Sequence, residues 1–278
     1  MVTPAPGSAT PLASRQPGQD TTVVCVGDVR FGDRRVVLIG GPCSVEDSAQ
    51  MNATAAHVAS AGGTMLRGGA WKPRTNPYDF QGLGRPGLEI LAEARRTSGL
   101  PVVTEVLDPR DVAVVAETAD MLQIGSRSVQ NFPLLREVGA SGKPVLLKRG
   151  MMTTVAEWLG AAEYVLSAGG RDLVFCERGI RTFESALRNT LDLGAVAVLK
   201  EITHLPVIVD PSHAAGDVRY VTALACAAVA AGADGLLVET HCEPGAAFSD
   251  AAQSLDGGHF AALAQACRAV ARALGRDL

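Results

Sequence analysis

Short runs of β-branched and aliphatic residues alternate along this chain with longer Ala-rich stretches of helical character. Eight runs read as buried strands: residues 36–39, 64–66, 101–106, 121–124, 144–147, 173–176, 206–209 and 235–238. Each is followed by enough chain for a helix before the next begins. Strict strand–helix alternation predicts a parallel sheet, and eight repeats predict an α/β fold closed into a (β/α)8 TIM barrel. A doubly wound open sheet would require a phosphate fingerprint such as GxGxxG after its first strand, and none is present. Ahead of the barrel, residues 23–29 and then 34–39, across a Gly-Asp turn, begin as an N-terminal β-hairpin. Residues 1–22, rich in Pro, Gly, Ser and Thr, read as a disordered tail, so the expected division is a tail at 1–22 and one catalytic barrel with its hairpin at 23–278.

The polar residues interrupt this pattern at one end of every strand. The first run leads into Gly40-Gly41-Pro42-Cys43 and the second ends in Arg67. The third carries Glu105, and the fourth runs through Gln123 to Arg127. The fifth ends in Lys148-Arg149, the sixth in Glu177-Arg178, the seventh in Asp210-Pro211-Ser212-His213 and the eighth in Glu239-Thr240-His241. At the opposite ends, four of the runs start on Pro-Val or Gly. Polar edging for its own sake would mark both ends, whereas charge at the C-terminal ends alone marks the face where such barrels do chemistry.

Composition narrows the functional classes. Of 278 residues, 47% are hydrophobic and only 4% aromatic, which suits parallel strands covered by Ala-rich helices. The net charge of -4 and pI near 5.8 give no basis for binding nucleic acid or an anionic membrane. Anionic substrates would have to meet positive charge concentrated in a cleft. No apolar run approaches the roughly 18 residues of a membrane span, and the first twenty residues lack a signal-peptide core. A cytoplasmic protein is expected. Its six cysteines show no CxxC pair and are expected as thiols.

Two constellations carry chemistry. Arg67, Lys72, Arg74, Arg127, Lys148 and Arg178 converge on the barrel mouth. Cations brought together repel unless anions lie between them, and this set suits two phosphates and a carboxylate. Singly, each is more often a surface residue. Cys43, His213, Glu239 and Asp250 form the second set, whose mixed soft and hard donors suit one divalent ion, Mn, Fe, Co or Zn. Cys43 alone would read as a core thiol and Asp250 alone as a helix cap. At the ends of strands one, seven and eight, the four together favour a metal. His241 and Cys242 adjoin Glu239, and His241 is an outer partner of that set.

At this point a resemblance is specific. The motifs Gly41-Pro-Cys-Ser-Val-Glu46, Lys72-Pro-Arg-Thr75, Gln123-Ile-Gly125 with Arg127, Leu147-Lys-Arg-Gly150, Glu177-Arg-Gly-Ile-Arg-Thr-Phe-Glu184 and Asp210-Pro-Ser-His213 resemble the 3-deoxy-D-arabino-heptulosonate 7-phosphate synthase family, short type Iβ group. The likeness runs from about residue 23 to about residue 265, nearly the whole barrel. It implies a transferase that condenses phosphoenolpyruvate with erythrose 4-phosphate, the first step of the shikimate pathway. Under it, Arg127, Lys148 and Arg178 resemble ligands of the phosphoenolpyruvate phosphate. Arg67 and Lys72 lie around its carboxylate and the reacting centre, and Glu105 lines that site. Arg74 and Thr75 resemble the grip on the sugar phosphate. Cys43, His213, Glu239 and Asp250 resemble the metal ligands, which places Cys43, His213 and Lys72 at the reaction centre.

The sister family that uses arabinose 5-phosphate usually reads Lys-Ala-Asn-Arg-Ser where this chain reads Lys72-Pro-Arg-Thr75, which favours the four-carbon sugar. A non-catalytic phosphosugar sensor would have no use for a Lewis acid. The chain departs from the family's usual residues at Gly40, Asn76, Ser126, Cys242 and Ala251. Asn76 either turns its amide toward the sugar phosphate or starts the turn before Pro77. The segments flanking the barrel are too short to fold a regulatory domain. A barrel without intrinsic feedback control is therefore expected, as a homo-oligomer, dimer or tetramer, open to regulation by a partner in trans.

Overall fold

The structure, a computed structural model, describes residues 9–278. Two short antiparallel strands, β1 (Val24–Val26) and β2 (Val29–Phe31), precede the barrel. The barrel strands are β3 (Val37–Gly41), β4 (Met65–Arg67), β5 (Val102–Glu105) and β6 (Met121–Ile124), then β7 (Val145–Lys148), β8 (Leu173–Glu177), β9 (Val207–Val209) and β10 (Gly235–Glu239). All pair in parallel, and β10 returns to β3 with Gly235 opposite Val37, which closes the barrel. Between the strands lie α1 (Ser48–Ser60), α2 (Arg85–Ser98), α3 (Val112–Thr118), α4 (Phe132–Ala140), α5 (Val155–Ser167) and α6 (Leu193–Ile202). The short α7 (Pro211–Ala215), then α8 (Val218–Ala230) and, after β10, α9 (Gly257–Ala273) complete the ring. The expected strand–helix alternation is present in full, with every strand bound within two residues of the expected one. No helix among the described residues is long and apolar enough to cross a membrane.

The period of two along each strand sorts side chains into two cores. Val37, Ile39, Met65, Val103, Met121, Leu146, Val174, Ile208 and Leu237 point inward and fill the barrel. The residues between them, such as Leu38, Leu66, Leu122, Leu147, Phe175 and Leu236, point outward and pack under the helices. Trp158 of α5 is fully buried and meets Phe175 edge-on at 4.9 Å, while its Nε1 donates to the Leu147 carbonyl. Deleting such a ring costs about 3–5 kcal/mol. Helix α5 begins on a reciprocal cap in which Thr154 and Glu157 satisfy each other's backbone amides.

Two expectations at the N-terminus are corrected. The hairpin turns at Gly27-Asp28, with Gly27 at φ 57, and pairs Val24 with Phe31. Residues 37–41 are instead the first barrel strand, because Val37 and Ile39 are needed inside the barrel. Val24, Val26 and Phe31 plug its N-terminal end against those inward side chains. The second correction concerns the tail. Its residues 1–8 lie outside those described, but residues 9–22 are not disordered. Glu163 of α5 accepts from the Leu12 and Ala13 amides, the Thr203 hydroxyl donates to the Ala13 carbonyl, and Ala13 and Ser14 are buried. The polar composition was misleading because the barrel supplies partners for the backbone of this strap.

Two glycines of the first strand answer to packing. A Cβ on Gly41, which lies at φ 144, would collide with the Arg67 carbonyl. One on Gly40 would come within 2.7 Å of both Phe260 and Val58, which accounts for glycine at that departure.

Candidate active site

The inward parity of each strand continues past the apolar layers and becomes polar at the C-terminal mouth. Met65 is followed two residues on by Arg67, Val103 by Glu105, Met121 by Gln123, Leu146 by Lys148, Cys176 by Arg178, Ile208 by Asp210 and Leu237 by Glu239. The barrel thus presents a ring of polar side chains above a dry core, opening into a cavity of about 330 Å³. All six cations singled out from the sequence line it: Arg67, Lys72, Arg74, Arg127, Lys148 and Arg178. Arg181 and Arg188 join them, with Thr75, Asp79, Glu105, His213 and Asp250.

The cations divide by partner. Arg67 Nη1 lies 3.0 Å from Glu239 Oε1, Lys148 Nζ donates to Asp210 Oδ2 at 2.7 Å, and Arg188 Nη1 meets Asp250 Oδ1 at 3.0 Å. Lys72, Arg74, Arg127, Arg178 and Arg181 form no ion pair with a carboxylate among the described residues. Lys72 Nζ donates to the Cys43 carbonyl at 2.9 Å. Burial works against its charge, but Cys43 and Glu105 outweigh that and hold its pKa above the usual lysine value. Arg178 is buried, and desolvation pulls its pKa down despite Asp210. Buried cations without counter-ions are costly alone and make a receptor for anions.

Beside them lies a cluster of metal-type donors. One ligand atom each from Cys43, Glu239 and Asp250 falls within 4.8 Å of the others. His213 Nε2 faces the same point, 3.4 Å from Glu239 Oε1 and 3.9 Å from Asp250 Oδ2. The local fold explains the imidazole's pose. Asp210 caps α7, accepting from the His213 amide at 2.9 Å through Oδ1 and from Nδ1 at 2.7 Å through Oδ2. That places the proton on Nδ1 and leaves the Nε2 lone pair free. Burial biases the ring toward its neutral form against the pull of Asp210 and Glu239. Asp210 is itself fully buried, yet His213 and Lys148 keep it ionised, with its pKa well below the usual carboxylate range.

The donor set fits a divalent ion. Burial, aided by Glu239, pushes the Cys43 thiol up to about 12, and its Sγ donates to Asp250 Oδ2 at 3.0 Å. Glu239 Oε1 is buried and accepts no hydrogen bond, since the nearby Arg67 Nη1 is misaligned for one. A buried carboxylate oxygen is rarely left in that state unless something else coordinates it. Asp250 sits at φ 53, the one positive-φ residue other than glycine among those described, so the backbone is bent to bring its carboxylate here.

Some polar strand ends point elsewhere. Arg149 and Glu177 have the outward parity and pair with each other at 3.0 Å, with Asp192 on the same guanidinium, beneath the helices. His241 faces Glu46 at 3.5 Å and accepts from the Glu243 amide, so it supports the loop after β10 and does not touch the donor cluster. Asn76 accepts from the Tyr78 amide at 3.1 Å and does not line the cavity, so it shapes the turn. Ala251 has no positive φ and needs no glycine. Asp210 is a further member of the site, and its parity with Ile208 marks it in the sequence. Arg181 and Arg188 lie in an irregular segment and Gln253 ends a single 3-10 turn, where no periodicity identifies them.

A closed eight-stranded barrel with a polar ring, unpaired cations and a thiol–imidazole–carboxylate cluster at its C-terminal mouth defines the class: a (β/α)8-barrel enzyme acting at that face. Within that class the chain belongs to the DAHP synthetase I family, which matches residues 15–275. It is 50% identical to the phospho-2-dehydro-3-deoxyheptonate aldolase of Thermotoga maritima, over 95% of this chain and 78% of that protein. The crystal structure of that DAHP synthase superposes with a TM-score of 0.93 at 49% identity, covering 96% of this chain and 78% of that one. A truncated form of the Thermotoga maritima enzyme gives a TM-score of 0.90 at 46% identity, covering 96% of this chain and 98% of that one. The 2-dehydro-3-deoxyphosphooctonate aldolase of Syntrophotalea carbinolica is more distant, 34% identical over 83% of this chain and 89% of its own length.

Proposed function

We infer that this chain condenses phosphoenolpyruvate with D-erythrose 4-phosphate and water, giving 3-deoxy-D-arabino-heptulosonate 7-phosphate and inorganic phosphate. The observation that carries this is the cavity lined by five cations without carboxylate partners beside a donor cluster suited to a divalent ion. Arg127, Lys148 and Arg178 hold the phosphoenolpyruvate phosphate, and Arg67 and Lys72 its carboxylate. Arg74 and Thr75 hold the sugar phosphate across the mouth. In the reaction, C3 of phosphoenolpyruvate forms a bond to the aldehyde carbon. The aldehyde oxygen takes a proton, water adds at C2, and the C2–O bond breaks to release phosphate. A divalent ion bound by Cys43, His213, Glu239 and Asp250 supplies Lewis acidity for the aldehyde oxygen. Lys72, with Nζ held by the Cys43 carbonyl on the cavity wall, is suited to stabilising developing negative charge or to acting as general acid. The donor set accommodates Mn, Fe, Co or Zn.

The test is aldose preference. With phosphoenolpyruvate, erythrose 4-phosphate is expected to turn over far faster than arabinose 5-phosphate. The reverse preference would transfer the chain to the octulosonate reaction. The higher identity to the heptonate enzyme and the Lys72-Pro-Arg-Thr75 loop support the four-carbon sugar.

Control and assembly complete the reading. Assayed alone, this chain is expected to keep full activity in the presence of phenylalanine, tyrosine or tryptophan. Inhibition by any of them at sub-millimolar concentration would show an inhibitor site in the barrel, and a partner in trans remains compatible with insensitivity. Tyr78, Met152, Phe183 and Phe248 are exposed apolar side chains on the loops around the mouth, which supports assembly into a homo-oligomer. The six cysteines are all free thiols, which supports residence in the reducing cytoplasm.

A further inference from the structure

We propose that Arg188 and Gln253 are positioning residues that select which oxygen of each cluster carboxylate faces the ion. This rests on the metal site proposed above. Glu239 and Asp250 each present two oxygens, and each uses one of them on this frame. Arg188 Nη1 meets Asp250 Oδ1 at 3.0 Å and also donates to Gln253 Oε1 at 2.8 Å. The second contact settles the Gln253 amide: with its oxygen turned to the guanidinium, its Nε2 must donate to Glu239 Oε2. One guanidinium therefore holds Asp250 directly and Glu239 through a single buried amide. What is left over is Asp250 Oδ2, toward Cys43 Sγ and His213 Nε2, and Glu239 Oε1, which faces His213 Nε2 and, without a hydrogen bond, the Arg67 guanidinium at 3.0 Å.

The frame also reaches the imidazole. The amides of Arg188 and Asn189 donate to the carbonyls of Ala215 and Ala214 on α7, and Asn189 Nδ2 donates to the His213 carbonyl at 2.9 Å. The segment between β8 and α6 thus ties three of the four donors into one geometry, although none of its own side chains points to the centre of the cluster. Gln253 is 2% exposed, so its hydrogen bonds are not exchanged with water. Partners of this kind hold a ligand in its binding pose before the ion arrives, and their loss typically weakens metal affinity about 10–100-fold.

The test measures Co(II) affinity by competition with a chelator, together with the absorption of the thiolate–Co(II) unit, in the absence of substrates. Gln253→Leu and Arg188→Met are each expected to weaken Co(II) about 10–100-fold and to shift that absorption. The double variant should be little worse than Arg188→Met alone but worse than Gln253→Leu, because the guanidinium holds Asp250 directly and Glu239 only through Gln253. Arg188 is partly exposed, so Arg188→Met serves if Gln253→Leu does not fold, as judged by circular dichroism. Unchanged Co(II) affinity in either folded variant, with loss in Cys43→Ala, would overturn this inference alone. Unchanged affinity in Cys43→Ala would overturn it together with the metal site. Intact Co(II) affinity but lost phosphoenolpyruvate binding in Arg188→Met would make Arg188 an anion ligand instead.

Discussion

Strong chelation is expected to abolish turnover of this protein and Mn, Co or Zn to restore it, the largest effect expected from the site. The four donors come from the loop after β3, from α7, from the end of β10 and from the loop that follows it, so only the closed barrel assembles them. A divalent ion held by these donors would stabilise charge on the aldehyde oxygen by several kcal/mol, which corresponds to about a hundredfold or more in rate. Cys43→Ala is expected to lose activity on that scale, since it removes the one soft donor. The same change costs little folding stability, because a thiol is small and its partner Asp250 remains held by Arg188. Kinetics in buffers stripped of metal and then resupplied provide the check. Full activity of Cys43→Ala in metal-free buffer would remove the metal from the reaction.

Arg178→Ala and Arg74→Ala are expected to separate the two substrates. Arg178 is buried and forms no direct ion pair with a carboxylate, so a bound anion gives its guanidinium a partner at contact distance. Losing a charge-assisted contact at such a position costs about 2–3 kcal/mol, or about 30–150-fold in kcat/KM. The loss should fall on phosphoenolpyruvate. Arg74 lies on the loop after β4, where its Nε is anchored to the Phe80 carbonyl and its remaining donors are free for the cavity. Arg74→Ala should raise KM for erythrose 4-phosphate more than for phosphoenolpyruvate. Steady-state kinetics with each substrate varied in turn distinguish the two, and the opposite pattern would mean that the phosphate sites are exchanged.

How far the site was legible follows from where each residue stands. Arg67, Glu105, Lys148 and Glu239 end strands, and a period of two that turns from apolar to charged is visible in one dimension. Arg178 and Asp210 lie just beyond their strands on the same inward parity. Arg149 and Glu177 look equally charged and equally terminal, yet they fall one residue out of phase. Phase is a property of the barrel, and it sends them outward to pair beneath the helices. Asn76 and Ala251 departed from the family pattern beside the site. Their backbone hydrogen bonding and dihedrals, which only the folded loops define, make both departures structural.

By itself the sequence determined the eight strand–helix repeats, the parallel closure they imply, and the chemical types gathered at one face. Those follow from local periodicity and from which residue types stand where an apolar run stops. The tertiary structure alone decided the course of residues 9–22, the hairpin's turn and the pairing of each cation. It also decided the place of Arg188 and Gln253 behind the carboxylates. These depend on contacts between residues far apart in the chain: Glu163 catches Leu12, and Arg188 reaches Asp250 and Gln253 across the mouth. No local pattern encodes such contacts, because a backbone amide or a carboxylate takes the partner that the packed barrel brings within about 3 Å.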